Sequence, residues 1–165
     1  VLEYNGIATS LFIFGAVTLP QIYVHMWLST ALLGVKPPRF WTRLLKVSIL
    51  PMVYMEAMYW ILPVSLHLVN GLITSLLIHI LMFKGQPIKK RILLWAFTYL
   101  LLIVSDSGCA LAYMQFFEIS TFAASPWYIK SLFYWPIFML VALIAWHIHK
   151  RDLAPAARLG NSWLD

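Results

Sequence analysis

Two carboxylates, Glu56 and Asp106, lie inside long apolar runs of this sequence. At such a depth in a membrane an ionisable group costs about 2.5–3.5 kcal/mol on insertion scales, so each needs a proton, a counter-charge or a watery recess. His67 and Asn70 are the polar residues placed to reach similar levels, and Ser105 and Ser107 flank Asp106. Neighbouring carboxylates raise each other's proton affinity, and a protonated histidine lowers it. Brought together, Glu56, His67, Asn70 and Asp106 would form a cluster that responds to pH or takes a cationic ligand. They are the expected signal or ion site. The competing reading leaves both acids protonated or facing a shallow vestibule, with His67 a boundary residue.

His25, His79, His147 and His149 form a second set on three different apolar runs. His25 with His79 or His147 could in principle supply two axial ligands to a haem. Histidines near the inner ends of helices are favoured in any case by the helix C-terminus and the headgroup region, so no cofactor is expected. The single cysteine, Cys109, excludes thiol–disulfide exchange chemistry. It lies about 26 Å from the inner end of its helix, against about 6 Å for His79, so the two cannot form a dyad. H-E-x-x-H and G-x-S-x-G patterns are missing, and the His147–His149 spacing points the rings to different faces. Neither a metal site nor an enzyme is expected.

The elements that must position these residues are helices in lipid. The chain of 165 residues is 62% hydrophobic and 11% charged, with a mean hydropathy of +0.81, too little polar character to coat a soluble globule. All Lys and Arg residues except Lys130 fall into three clusters between apolar runs: Lys36 to Lys46, Lys84 to Arg91, and Lys150 to Arg158. Basic residues beside spans stay on the cytoplasmic side. Five spans, with the N-terminus outside and the C-terminus cytoplasmic, put all three clusters there, whereas four spans would strand one outside. The formal net charge of +6 then serves orientation and contact with anionic lipid rather than nucleic acid.

The expected fold is an all-α integral membrane protein of the inner (cytoplasmic) membrane. A single five-helix transmembrane domain over residues 1–150 has spans at about 7–33, 44–62, 64–83, 92–113 and 131–148, and residues 151–165 form a short cytoplasmic tail. The first run lacks a basic leader and a cleavage site and reads as a retained helix. Pro20, Pro51 and Pro136 lie within spans as expected kinks, and Leu62 to Ser65 forms a tight outer turn. The outer loop, Met114 to Lys130, carries Phe116, Phe117, Phe122, Trp127 and Tyr128, rings that suit the interface. Tyr54, Tyr59, Trp60, Trp127, Tyr128, Tyr134 and Trp135 gather toward the outer side as an aromatic belt, or, with the methionines Met52, Met55, Met58 and Met114, as an apolar vestibule for a peptide or lipid.

The loop Gly34-Val35-Lys36-Pro37-Pro38-Arg39-Phe40-Trp41, the segment Ile61-Leu62-Pro63-Val64-Ser65-Leu66-His67, Pro87-Ile88-Lys89-Lys90, and Ser125-Pro126-Trp127 leading to Trp135-Pro136 make up a pattern over about residues 5–150. It resembles the membrane sensor region of Gram-positive quorum-sensing histidine kinases of the accessory-gene-regulator-like type. That resemblance implies spans that receive an extracellular signal, often a peptide, and pass a helix movement to a cytoplasmic kinase or a dimer partner. No phospho-acceptor or nucleotide-binding motif follows Arg151, so this chain is expected to sense rather than to phosphorylate. The leading expectation is a non-enzymatic bacterial membrane sensor or accessory subunit with a peptide or small-molecule ligand. A small proton- or cation-coupled transporter or channel component is the alternative, and a haem- or quinone-linked electron carrier the third.

Overall fold

Backbone N–H and C=O groups in apolar surroundings have to bond within their own segment, and the chain meets that requirement with helices throughout. The computed structural model describes residues 12–118, 121 and 126–153. These residues form five α-helices and no strand: α1 (Leu19–Leu32), α2 (Phe40–Ile61), α3 (Val64–Met82), α4 (Ile88–Met114) and α5 (Trp127–Arg151). The helices of Ser65–Met82, Ile88–Met114 and Tyr128–Arg151 are long and apolar enough to cross a membrane. The chain is a membrane protein by this measure.

Proline and glycine set the boundaries. Pro20 sits in the first turn of α1, where its missing N–H costs least, and a π-helical turn over Phe14–Thr18 precedes it. Leu19 N–H reaches back to the Phe14 carbonyl, widening the coil just before the proline. At the other end Gly34 N–H bonds the Ala31 carbonyl and Val35 N–H that of Thr30, a Schellman closure. That closure needs a left-handed residue, and Gly34 supplies it at φ 67°. Pro63, Pro87 and Pro126 each stand immediately before a helix with extended ψ, starting α3, α4 and α5.

Helix α5 therefore begins at Trp127 rather than at about 131, and Trp127 and Tyr128, expected in the outer loop, belong to its first turn. Helices α2 and α4 also begin four residues before the expected 44 and 92, because Arg43, Lys89, Lys90 and Arg91 continue a helix beyond its apolar part. The expected sites Phe122 and Arg158 lie outside the described residues.

Helix α1 is the central element, packed along α5 on one side and α4 on the other, while α3 packs between α2 and α4. Ala31 and Ala145 are both fully covered where α1 meets α5, small residues that let the two helices approach closely. Met26, Leu44, Met52, Ile78, Met82 and Leu94 fill the space among α1 to α4. The outward surface is apolar, with Leu50 78% and Ile61 71% exposed, as suits a lipid-facing bundle.

One end of the bundle collects the basic clusters. Lys36, in the α1–α2 loop, pairs with Asp152 just past α5. Arg43 reaches the Leu81 carbonyl at the end of α3 at 3.5 Å. Arg91 donates to the Lys84 and Gln86 carbonyls at 2.6 and 2.7 Å, tying down the α3–α4 turn. Arg43 thereby meets a carbonyl that the end of α3 leaves without an N–H donor, and Arg91 meets carbonyls of the turn that follows.

Candidate functional site

Gln21, His25 and Ser29 recur every fourth residue, one polar ridge on α1, and Thr98 and Ser105, seven apart, form one face of α4. The fold presses these faces together. His25 Nδ1 lies 2.6 Å from the Gln21 carbonyl, which can only accept, so Nδ1 carries a proton, the single one when the ring is neutral. Nε2 is then the acceptor for the Ser105 hydroxyl, at 2.6 Å. His79 of α3 repeats the arrangement: Nδ1–H donates to the Ser75 carbonyl at 2.8 Å, and Nε2 faces the Thr98 hydroxyl at 3.1 Å.

Thr98 is the junction of three helices. Besides His79, it contacts Ser29 of α1 at 2.7 Å and lies 2.8 Å from the Leu94 carbonyl. Ser29 in turn reaches the Met26 carbonyl at 2.9 Å. The two hydroxyl protons of Ser29 and Thr98 thus have three acceptors within reach besides each other: Nε2 of His79 and the carbonyls of Leu94 and Met26. Such a set has several proton arrangements of similar geometry. His25, Ser29, His79 and Thr98 are all at most 2% exposed.

At the end of this ladder away from the basic clusters stands Asp106. Gln21 Nε2 donates to its Oδ1 at 2.7 Å, and the Tyr134 hydroxyl of α5 lies near enough to couple to it electrostatically. The carboxyl therefore joins α1, α4 and α5, yet its residue remains open at the bundle surface.

The other expected site residues lie elsewhere. Asn70 Nδ2 donates to the Met55 carbonyl at 3.3 Å, placing Asn70 beside Glu56 in the α2–α3 interface. His67 Nε2 lies 2.9 Å from the Leu62 carbonyl, donating across the Pro63 turn. Asn70 thus meets α2 one residue before Glu56, and Asp106 has Gln21 as its hydrogen-bond partner with Tyr134 nearby. Phe116 and Phe117 follow the end of α4, where Phe117 stacks on Tyr113 at 4.8 Å and both rings lie against Phe133 of α5. Tyr128 is exposed at the start of α5.

Ser105 Oγ and the His25 ring have the spacing of a nucleophile and its base. Ser105 lies mid-helix, where backbone N–H groups are committed to the helix and supply no oxyanion donors. What the arrangement does chemically is hold exchangeable protons between helices. Each imidazole directs Nε2 at a hydroxyl of α4, an arrangement distinct from two rings facing one iron. No group of three His, Cys, Asp or Glu side chains among the described residues is arranged to hold a metal ion. Gln21, Ser29 and Thr98 are the site residues that sequence reasoning missed. Their four- and seven-residue spacing was the available signal. No family model, curated protein or solved structure matches the chain.

Proposed function

We propose that this chain is a non-enzymatic bacterial membrane sensor or accessory subunit, spanning the cytoplasmic membrane five times with its N-terminus outside. In this reading it relays an extracellular signal along α5 to a cytoplasmic partner, either a kinase or a second copy. The observation that carries the reading is the Asp106 junction: one surface-open carboxyl is hydrogen-bonded to Gln21 of α1 and lies beside Tyr134 of α5. A peptide or small molecule with a cationic group that engages Asp106 competes with Gln21 and Tyr134 and frees α5 against α1. Helix α5 then carries that change from Tyr134 to Arg151, where Lys36 and Asp152 connect it to the α1–α2 loop. The aromatic contacts of Phe116, Phe117 and Phe133, roughly 15 Å further along from Asp106 at the end of α4, supply an apolar surface toward the outside for such a ligand. The gathering of the basic clusters at one end supports the five-span orientation.

The test is a chimera in which the whole chain replaces the sensing spans of a receptor kinase with a transcriptional reporter. Asp106→Asn and Tyr134→Phe are each expected to change basal output several-fold, because each loosens the same joint. Output equal to wild type in both variants would sink the relay.

The buried hydroxyl–imidazole ladder favours a second reading, proton passage by a small transporter or channel component. It predicts proton flux in liposomes that Asp106→Asn and Thr98→Val abolish; absence of flux in the wild-type protein removes it.

A further inference from the structure

Rings from three helices meet at the basic end of the bundle. Trp27 of α1 lies 5.2 Å from the ring of Trp41 of α2 and 5.9 Å from that of His149 of α5, edge-on to both. Just beyond them Lys36 of the α1–α2 loop pairs with Asp152, and both of these charges lie near enough to His149 to couple to it electrostatically. One small region thus joins α1, α2, α5 and the loop.

The polar groups of this region are weakly committed. In the interior Trp95 gives its indole N–H to Ser75, and His25 and His79 each have hydrogen-bond partners. Neither indole of Trp27 and Trp41 nor the His149 ring has one among the described residues. The Lys36 and Asp152 side chains are 56% and 74% exposed, and an ion pair so open is weak and readily exchanged. Asp152 is the one acid at this end among the described residues, against ten Lys and Arg of the three basic clusters. Donors and positive charge are in excess, and their complement is an anion with several acceptor oxygens, such as a phosphodiester. Tryptophan rings settle at the headgroup level of a bilayer. From Trp41 the same face of α2 continues through Leu45 and Ile49, one residue per turn and each about half exposed. That stripe leads from the rings into the apolar zone, the course of an acyl chain, for which a free phosphate or an acidic peptide has no use.

We propose that the basic ends of α1, α2 and α5 hold one anionic phospholipid, its phosphate taken by Lys36 and His149 beside the two indoles and its chain lying along Leu45 and Ile49. The phosphate and the Asp152 carboxylate then compete for Lys36, so lipid binding opens the contact between the α1–α2 loop and the end of α5. The inference rests on this end lying at a membrane surface, as in the topology proposed above, and is independent of the Asp106 relay.

Native mass spectrometry of the full chain, released from nanodiscs of phosphatidylcholine with a minor fraction of phosphatidylglycerol, shows which lipid stays bound. The wild type and Asp106→Asn are expected to keep one phosphatidylglycerol well above its share of the bilayer. Lys36→Gln should lower that retention about fivefold, the scale of one basic residue at an anionic surface. His149→Phe, which keeps a ring against Trp27 and loses the N–H, should lower it as well. Asp152→Asn should raise it, because the competing carboxylate is gone. Lys84→Gln removes the same charge from the same end outside the cluster and should leave retention unchanged. Both faces of a nanodisc carry the lipid, so the result does not depend on which way the chain is inserted. Retention that falls as far in Lys84→Gln as in Lys36→Gln would mean diffuse attraction and overturn the site. No loss in Lys36→Gln and His149→Phe, or no gain in Asp152→Asn, would overturn it too. Displacement of the lipid by inorganic phosphate or by an acidic peptide would equally overturn it, assigning the cluster to a soluble anion or to a protein.

Discussion

At the scale of single residues the structure is organised by hydroxyl groups that occupy imidazole nitrogens. Thr98 serves His79 and Ser29 at once, so Thr98→Val leaves Nε2 of His79 without a donor in a closed interior. Stranding a buried acceptor costs about 1–3 kcal/mol. Ser105→Ala strands only Nε2 of His25 and is expected at the lower end of that range. Unfolding midpoints of the two variants should therefore rank wild type, Ser105→Ala, Thr98→Val; the reverse order would mean that Thr98 is not the three-helix junction. The spacing of Gln21, His25 and Ser29 along α1 is visible in the sequence, as is that of Thr98 and Ser105. Which helix each face meets is not, since periodicity shows which residues share a side and says nothing about the neighbour opposite. For that reason Glu56 and Asp106, alike in the sequence, separate into two environments in the fold.

At the scale of elements, helix identity was legible and helix starts were not. Hydropathy reports where lipid contact begins, while a helix continues through Lys89 and Lys90, or through the turn that Pro126 opens, for reasons of backbone geometry. The stop of α1 depends on Gly34, whose φ of 67° no side chain adopts without cost. Gly34→Ala is expected to destabilise the chain by about 1–2 kcal/mol with little change in helix content, because the Schellman closure rather than the helix bears the strain. Equilibrium unfolding together with circular dichroism measures both. An unchanged midpoint would show that the α1–α2 loop tolerates another closure. The π-helical turn before Pro20 had no signal beyond the proline itself, which in a sequence suggests only a kink.

At the scale of the whole molecule, the distribution of Lys and Arg was the most legible property, and the contacts at Lys36, Arg43 and Arg91 gather the described part of it at one end of the bundle. Lys36 and Asp152 join residues 116 apart in the chain. The hydrogen bond and charge of Lys36 hold the Asp152 carboxyl below its ordinary value. A depressed carboxyl keeps its contact while ionised and loses it as pH falls through the lowered value, so this closure is present at neutral pH and opens in acid. Both side chains are exposed, which makes the contact weak and sensitive to salt. Protection of the amides in residues 34–39, taken relative to intrinsic exchange at each pH, should fall only once pH drops below the ordinary aspartate value of about 3.9, and in high salt. Asp152→Asn should show the lower protection at every pH; protection independent of pH in the wild type would remove Asp152 from the closure.

The central claim is that the Asp106 junction governs how α5 sits against α1. Spin labels at Pro38→Cys and Leu153→Cys, in a Cys109→Ser background in nanodiscs, measure the separation of the α1–α2 loop from the inner end of α5. Asp106→Asn and Tyr134→Phe should shift or broaden that distance distribution, by about 1–2 Å or more for a helix sliding on its neighbour. Distributions that superimpose on the parent in both variants would contradict the relay.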